Sequence, residues 1–315
     1  DPHLGNYTVF EARNGTLQNY CCSSSLPVVP ASSSPRIQDV NGDGFGDLVW
    51  NDASNFVNLR NHANGFWDLA TEFRDAFGMY AQPSYDTTVG SGIWNPSFAF
   101  TSFPHRQYNG PRWVVRTVTA NDGSGGTFTQ NYSYFGGLEN LQGRGYLGFE
   151  YRRATDSRTN MVVVDYFKQE FPYTGMVYQR EELQPGGTTL TRKLVSTPAV
   201  QTLGAGQETR QFPYWSQKVE YLYEYGGSKN GQLITQTTTN LTYDAYGNAT
   251  TVSTSTVDKD STSLWFNETH STQTVNTITN DTTNWCLGRP TQTTVTNTSP
   301  GYTAQTRTTT GTIDY

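Results

Sequence analysis

From about residue 186 onward threonine is the dominant letter, with Gly, Asn and Ser supplying most of the punctuation, and no other feature constrains the fold as tightly. A side chain branched at Cβ loses χ1 freedom in a helix and packs well on a pleated, half-exposed surface. Such a run is a poor helix and a good strand. The earlier residues agree, being rich in Tyr and Val and poor in Ala, Leu, Lys and Glu, so the whole chain reads as all-β.

Alternating runs place the strands. They fall at Trp113 to Ala120, Thr127 to Phe135, Tyr146 to Arg153, Asn160 to Phe167 and Gln217 to Tyr225. Between the first two lies Asn121 to Gly126 (NDGSGG), residues that tolerate positive φ and so predict a hairpin turn. A second hairpin is expected from Gln232 to Tyr243 and Ala249 to Val257 around Asp244-Ala245-Tyr246-Gly247-Asn248. Further strands are expected at Thr272 to Thr279, Pro290 to Thr298 and Thr303 to Ile313. One helical pattern stands apart, with Phe66, Leu69, Ala70, Phe73 and Phe77 at helical spacing, and predicts a short covering helix over 66–77.

Composition narrows the function classes. The 315 residues are 34% hydrophobic, 14% aromatic and 15% charged, too aromatic for a disordered chain and long enough for about two domains. No run of roughly 18 apolar residues occurs, so neither a membrane-spanning helix nor an uncleaved leader is expected and the chain reads as soluble. A net charge of −6, with 21 Lys and Arg that never cluster beyond pairs such as Arg152-Arg153, disfavours nucleic acid. Cys21, Cys22 and Cys286 fit neither a zinc pattern nor a disulfide framework. They read as unpaired, half-buried thiols, with one bridge from Cys286 to the N-terminal pair as the alternative.

Asp39 to Asp47 (DVNGDGFGD) sets side-chain oxygens at Asp39, Asn41, Asp43 and Asp47 around Gly42 and Gly44. A Ca²⁺ ion takes oxygen ligands, and a tight loop can bring these groups and the Phe45 carbonyl onto one centre. The pattern departs from an EF-hand, because Leu48-Val49-Trp50 starts an apolar run and Trp50 stands where its last glutamate belongs. The loop resembles instead the calcium-binding turn of an FG-GAP or integrin-type β-propeller repeat. The alternative is an Asx-rich turn with no ion, which would leave Asp39, Asp43 and Asp47 to repel one another.

Tyr132 to Glu150 (YSYFGGLENLQGRGYLGFE) reads as a tyrosine-rich strand, a glycine turn and a second strand with Leu147 and Phe149 facing away from Tyr146 and Gly148. With the Val-rich run before it and FPYTG at Phe171 to Gly175 after it, this order resembles the middle region of TcB subunits of bacterial toxin complexes and the related SpvB-like proteins. Arg144, Gly145, Leu147, Gly148 and Phe149 match that family's R-G-F-L-G-F element, with Tyr146 at its usual Phe. Leu241 to Thr254 (LTYDAYGNATTVST) resembles an RHS/YD repeat. There Gly247 and Asn248 are expected at positive φ, Tyr243 against the neighbouring hairpin, and Asp244 bonded to turn amides.

This resemblance implies a fragment of a TcB-like chain in three regions. These are an FG-GAP or propeller-like segment (1–105), a TcB-middle-like β region (106–215) and RHS/YD hairpins (216–315). It further implies a secreted, non-enzymatic toxin component whose β-sheet shell encloses a C-terminal toxin. The partners it implies are a TcA-like translocation subunit and a TcC-like part, with the self-cleaving aspartate site and the toxin lying downstream.

Two other classes remain open. A polysaccharide hydrolase needs paired carboxylates, but Glu181 and Glu182 are adjacent and point to opposite faces of a strand. Glu220 and Glu224 are spaced to share a face. His3, His62, His105 and His270 form no metal motif, and no nucleophile elbow or phosphate loop occurs. An extracellular adhesin or carbohydrate-binding protein would use Trp215, Tyr221, Trp265 and Trp285 as a stacking platform.

Overall fold

The computed structural model describes residues 69–312 apart from 90–91, 96–101, 109, 205 and 207–208, and, before them, the strands between residues 8 and 59. The chain divides into two compact units, one of residues 1–71, 85–92 and 110–114, the other of 72–84, 93–109 and 115–315.

In the first unit β1 (Thr8–Arg13) and β2 (Thr16–Cys21) form an antiparallel pair. A second sheet joins β3 (Arg36–Gln38), β4 (Asp47–Asn51) and β5 (Phe56–Leu59), with Gln38 opposite Asp47. Thr88 is almost wholly buried there; its hydroxyl donates to the Gly110 carbonyl at 2.8 Å and accepts from the Arg112 amide at 3.0 Å.

The remaining strands are β6 (Phe73–Arg74), β7 (Tyr80–Thr87), β8 (Trp94–Asn95), β9 (His105–Gln107), β10 (Trp113–Asn121) and β11 (Thr127–Phe135). Next come β12 (Leu138–Asn140), β13 (Gly145–Gly148), β14 (Tyr151–Asp156), β15 (Val162–Phe167), β16 (Val177–Leu183) and β17 (Leu190–Leu203). The last are β18 (Arg210–Tyr223), β19 (Leu233–Tyr243), β20 (Ala249–Asp258), β21 (Thr269–Asp281), β22 (Cys286–Thr298) and β23 (Gln305–Thr310). From β14 to β23 each strand pairs antiparallel with the next, a meander that forms most of a 15-stranded sheet. β9, β12 and β13 make a separate small sheet.

Turn chemistry fixes the register. Between β10 and β11, Asp122 Oδ1 accepts from the amides of Ser124 (2.8 Å) and Gly126 (2.9 Å), while Gly123 and Gly125 take positive φ. In the meander one face carries the apolar cluster of Val162, Val164 and Leu183, flanked by Tyr151, Tyr166 and Leu190. Each such aliphatic side chain, once buried, contributes about 1.5–3 kcal/mol. Further out the faces are threonine, and hydroxyls meet across strands, as in Thr237–Thr256 (2.9 Å) and Thr296–Thr306 (3.1 Å).

The all-β reading holds, with three differences from the sequence expectations. The helix expected over 66–77 is absent from its described part, 69–77, where β6 is followed by a turn. Asp75 Oδ1 takes the amides of Phe77 and Met79, and β6 pairs back onto β7, so local turn bonding outweighs the apolar period; Phe77 is left exposed. The strand expected from Tyr146 to Arg153 is two strands, β13 and β14, in different sheets, broken where Gly148 adopts φ 92°. Asn248 is not at positive φ, and Gly247 alone takes that role. Cys286 is a free, half-buried thiol, in agreement with the unpaired reading rather than with the alternative bridge.

Candidate functional site

The YD turn joins β19 to β20 and reaches the next hairpin. Gly247, at φ 84°, lets the chain reverse, and a Cβ there would lie 3.0 Å from the Phe212 ring. Asp244 Oδ1 accepts from the amides of Tyr246 and Asn248, both at 2.9 Å, and the Asn248 side-chain amide bonds both carboxylate oxygens. Asn280, at the end of β21, donates to Asp244 Oδ2 at 2.8 Å, and its own oxygen accepts from the Gly288 amide at 2.8 Å. One carboxylate therefore ties two successive hairpins. Partial burial pushes the Asp244 carboxyl up, but the bonds from Asn248, Asn280 and Tyr246 outweigh it and hold it at about 2. Tyr243 packs on the preceding hairpin, with its ring 5.0 Å from Tyr214 and 6.2 Å from Phe212. Asn280 and Gly288 were not found from sequence, since their role depends on the pairing of β21 with β22 rather than on a local motif.

The GRGYLGF element forms a corner. Gly145 and Gly148 take positive φ, Leu147 is 4% exposed, and the Phe149 ring lies 4.8 Å from that of Tyr134. Arg144 stacks on Phe171 of the FPYTG segment, 3.6 Å from the ring centroid. Gln169 Nε2 donates to the carbonyls of Gly136 and Gly148, both at 2.8 Å, fastening that segment to the corner. Two distant motifs thus meet at one place.

Across β14 to β18 one face carries a ladder of charges that pattern reading missed. Arg152 donates to Asp165 Oδ2 at 2.7 Å, and Arg180 lies 3.5 Å from Asp165 Oδ1. Glu182 pairs with Arg180 (3.5 Å) and Arg192 (3.0 Å), and Arg192 also binds Glu220. Asp165 is 4% exposed, so its charge depends on these arginines.

The hydrolase and adhesin candidates are dispersed. Glu182 belongs to this ladder, whereas Glu181 pairs with Lys193 at 3.3 Å and accepts from the Tyr166 hydroxyl at 3.2 Å, on the opposite face as expected. Glu220 is held by Arg192, and Glu224 lies beyond the end of β18, past a register shift at Leu222/Tyr223, so the shared strand face is not realised. Trp265 and Trp285 occupy turns at opposite ends of the 13-residue β21, about 40 Å apart at strand rise. They cannot form one platform.

Of the expected calcium ligands, Asp39, Asn41, Asp43 and Phe45 lie outside the described residues, and Asp47 enters only as the first residue of β4. Among the described residues no three His, Cys, Asp or Glu side chains cluster as a metal would require.

No curated protein sequence matches the chain. Among solved structures, TcdB2–TccC3 without its hypervariable C-terminal region superposes with TM-score 0.62 at 12% identity, over 93% of this chain and 18% of that one. The Photorhabdus luminescens Tc holotoxin pore gives 0.61 at 11% identity, over 92% and 18%. TcdB2–TccC3 gives 0.58 at 11%, over 90% and 18%. The likeness shows a shared fold, and the chain spans under one fifth of the solved chains it matches. The family model described as the insecticide toxin TcdB middle/N-terminal region matches residues 18–175, half of the sequence and the stretch that holds the GRGYLGF corner. The chain belongs to the TcdB-type family of toxin-complex proteins.

Proposed function

We propose that this chain is a non-enzymatic stretch of the β-sheet shell of a secreted, TcB-like toxin, and that the shell of the full protein encloses and delivers a C-terminal toxin. The observation that supports this most is the staple at Asp244. It ties the β19–β20 hairpin to the β21–β22 hairpin without a thick core, and the same device repeated would let a sheet extend hairpin by hairpin and still curve around a volume. The division into a propeller-like segment, a TcB-middle region and RHS/YD hairpins is part of the same reading.

By this reading the partners are those named for the solved relatives, a TcC-like part as in TcdB2–TccC3 and, through the holotoxin, a TcA-like translocation subunit. A structural Ca²⁺ in the Asp39 to Asp47 loop belongs to the proposal. What favours it is the acidic spacing and the pairing of Gln38 with Asp47, which brings the loop's two ends together.

Reading the coding sequence on both sides of these residues tests the shell. Many further YD units followed by an unrelated C-terminal stretch are expected. A reading frame that closes soon after Tyr315 without further repeats contradicts the proposal and moves the adhesin reading ahead.

A further inference from the structure

We propose that the concavity over β14 to β16 is a binding site for a small carboxylate, with Arg153 as its anchor. It encloses about 360 Å³, the lower end of the range for small-molecule sites. Val164 and Leu183 form an apolar floor, and Tyr151 and Tyr166 line it.

What singles the place out is an unspent cation. Arg152 and Arg180 are ion-paired with Asp165, Arg192 with Glu182 and Glu220, and Lys193 with Glu181. Arg153, half-buried as a residue in the same sheet, has neither a side-chain ion pair nor a side-chain hydrogen bond among the described residues. Glu181 shares the cavity but is already committed to Lys193, to the Tyr166 hydroxyl and to Gln179. Room for the guanidinium is made by Gly187: at φ 71°, a Cβ on that residue would stand 2.5 Å from Arg153 Nη2. A Cβ on its neighbour Gly186, also at positive φ, would have nothing within 4 Å.

The chemistry indicates the ligand class. A guanidinium presents a fork of donors that matches a carboxylate. The side chains of Asn95 and Ser133 and the Tyr151 hydroxyl line the cavity without hydrogen bonds to any described residue, leaving polar groups for the rest of the ligand. One free cation beside the Glu181 carboxylate suits a single negative charge better than a phosphate dianion. The tyrosines and the apolar floor suit a compact, partly apolar body. An acidic side chain of an extended polypeptide and a sugar acid both satisfy this description.

The test is a ligand-observed NMR titration of the 315-residue chain with N-acetylglutamate amide, glucuronate and benzoate, each against its uncharged amide. At least one carboxylate should bind, about tenfold or more tighter than its amide, and Arg153→Gln should remove that difference. Whichever carboxylate binds best names the source as peptide, sugar or aromatic acid. Gly187→Ala and Gly186→Ala both place a Cβ at positive φ in the same turn, but only the former brings it against Arg153 and should weaken binding, which separates the site from general damage to the fold. Equal binding of acids and amides, retention of the preference in Arg153→Gln, or equal effects of the two glycine variants would overturn the assignment.

Discussion

At the scale of single residues, Asp244 carries the most structure per atom. It closes its own turn and holds Asn280 of the following hairpin, so its replacement affects two elements at once. Asp244→Ala should lower stability by about 2 kcal/mol, as expected for lost hydrogen bonds to a charged acceptor, measured by urea denaturation. The same carboxylate gives a pH dependence. Its folded value of about 2 lies below the ordinary 3.8, so its contribution is complete above about pH 4 and disappears as pH falls toward 2. Parent and Asp244→Ala curves should therefore converge in acid, and a constant gap down to pH 2 would contradict the staple. The sequence made Asp244, Gly247 and Tyr243 readable because turn chemistry is local. It could not reveal Asn280, whose partner lies 36 residues away and is chosen by strand pairing.

At the scale of elements, the hairpins were legible and the corners were not. Alternation and Gly/Asn/Asp turns located β10–β11 and β19–β20 to within a residue or two, since each rests on neighbours in sequence. The break inside GRGYLGFE was hidden: alternation continues through Gly148, and only its positive φ sends the two halves to different sheets. The charge ladder was hidden for a related reason. Arg152, Asp165, Arg180 and Glu182 become neighbours only once three strands are in register. Asp165→Ala should cost about 2 kcal/mol, below a fully buried pair because both arginines keep contact with water. Arg106→Ala, which removes the exposed pair with Glu139, should cost less than about 1 kcal/mol. Similar losses for both would mean that burial of Asp165 adds nothing. In the β3–β4 connection the calcium proposal makes its own prediction: Asp43→Ala lowers the melting temperature in calcium and leaves it unchanged in chelator. Equal melting of mutant and parent in both conditions would remove the ion.

At the scale of the molecule, the main sheet is firm in the middle and thin at its end. The apolar cluster lies under β15 and β16, whereas every residue of β23 is exposed and its hydrogen bonds to β22 are covered by nothing described. In the 315-residue chain amide hydrogen exchange should be slowest in β15 and β16 and fastest in β23, and uniform protection would argue against this gradient. An uncovered, threonine-faced edge is what a sheet needs if another hairpin is to pair with it. The most direct test of the shell is electron cryomicroscopy of the full-length protein. β23 should be paired along its free edge with a further hairpin, within a closed β-sheet wall around density for a separate polypeptide. An open sheet with β23 facing solvent and no enclosed volume would contradict the account.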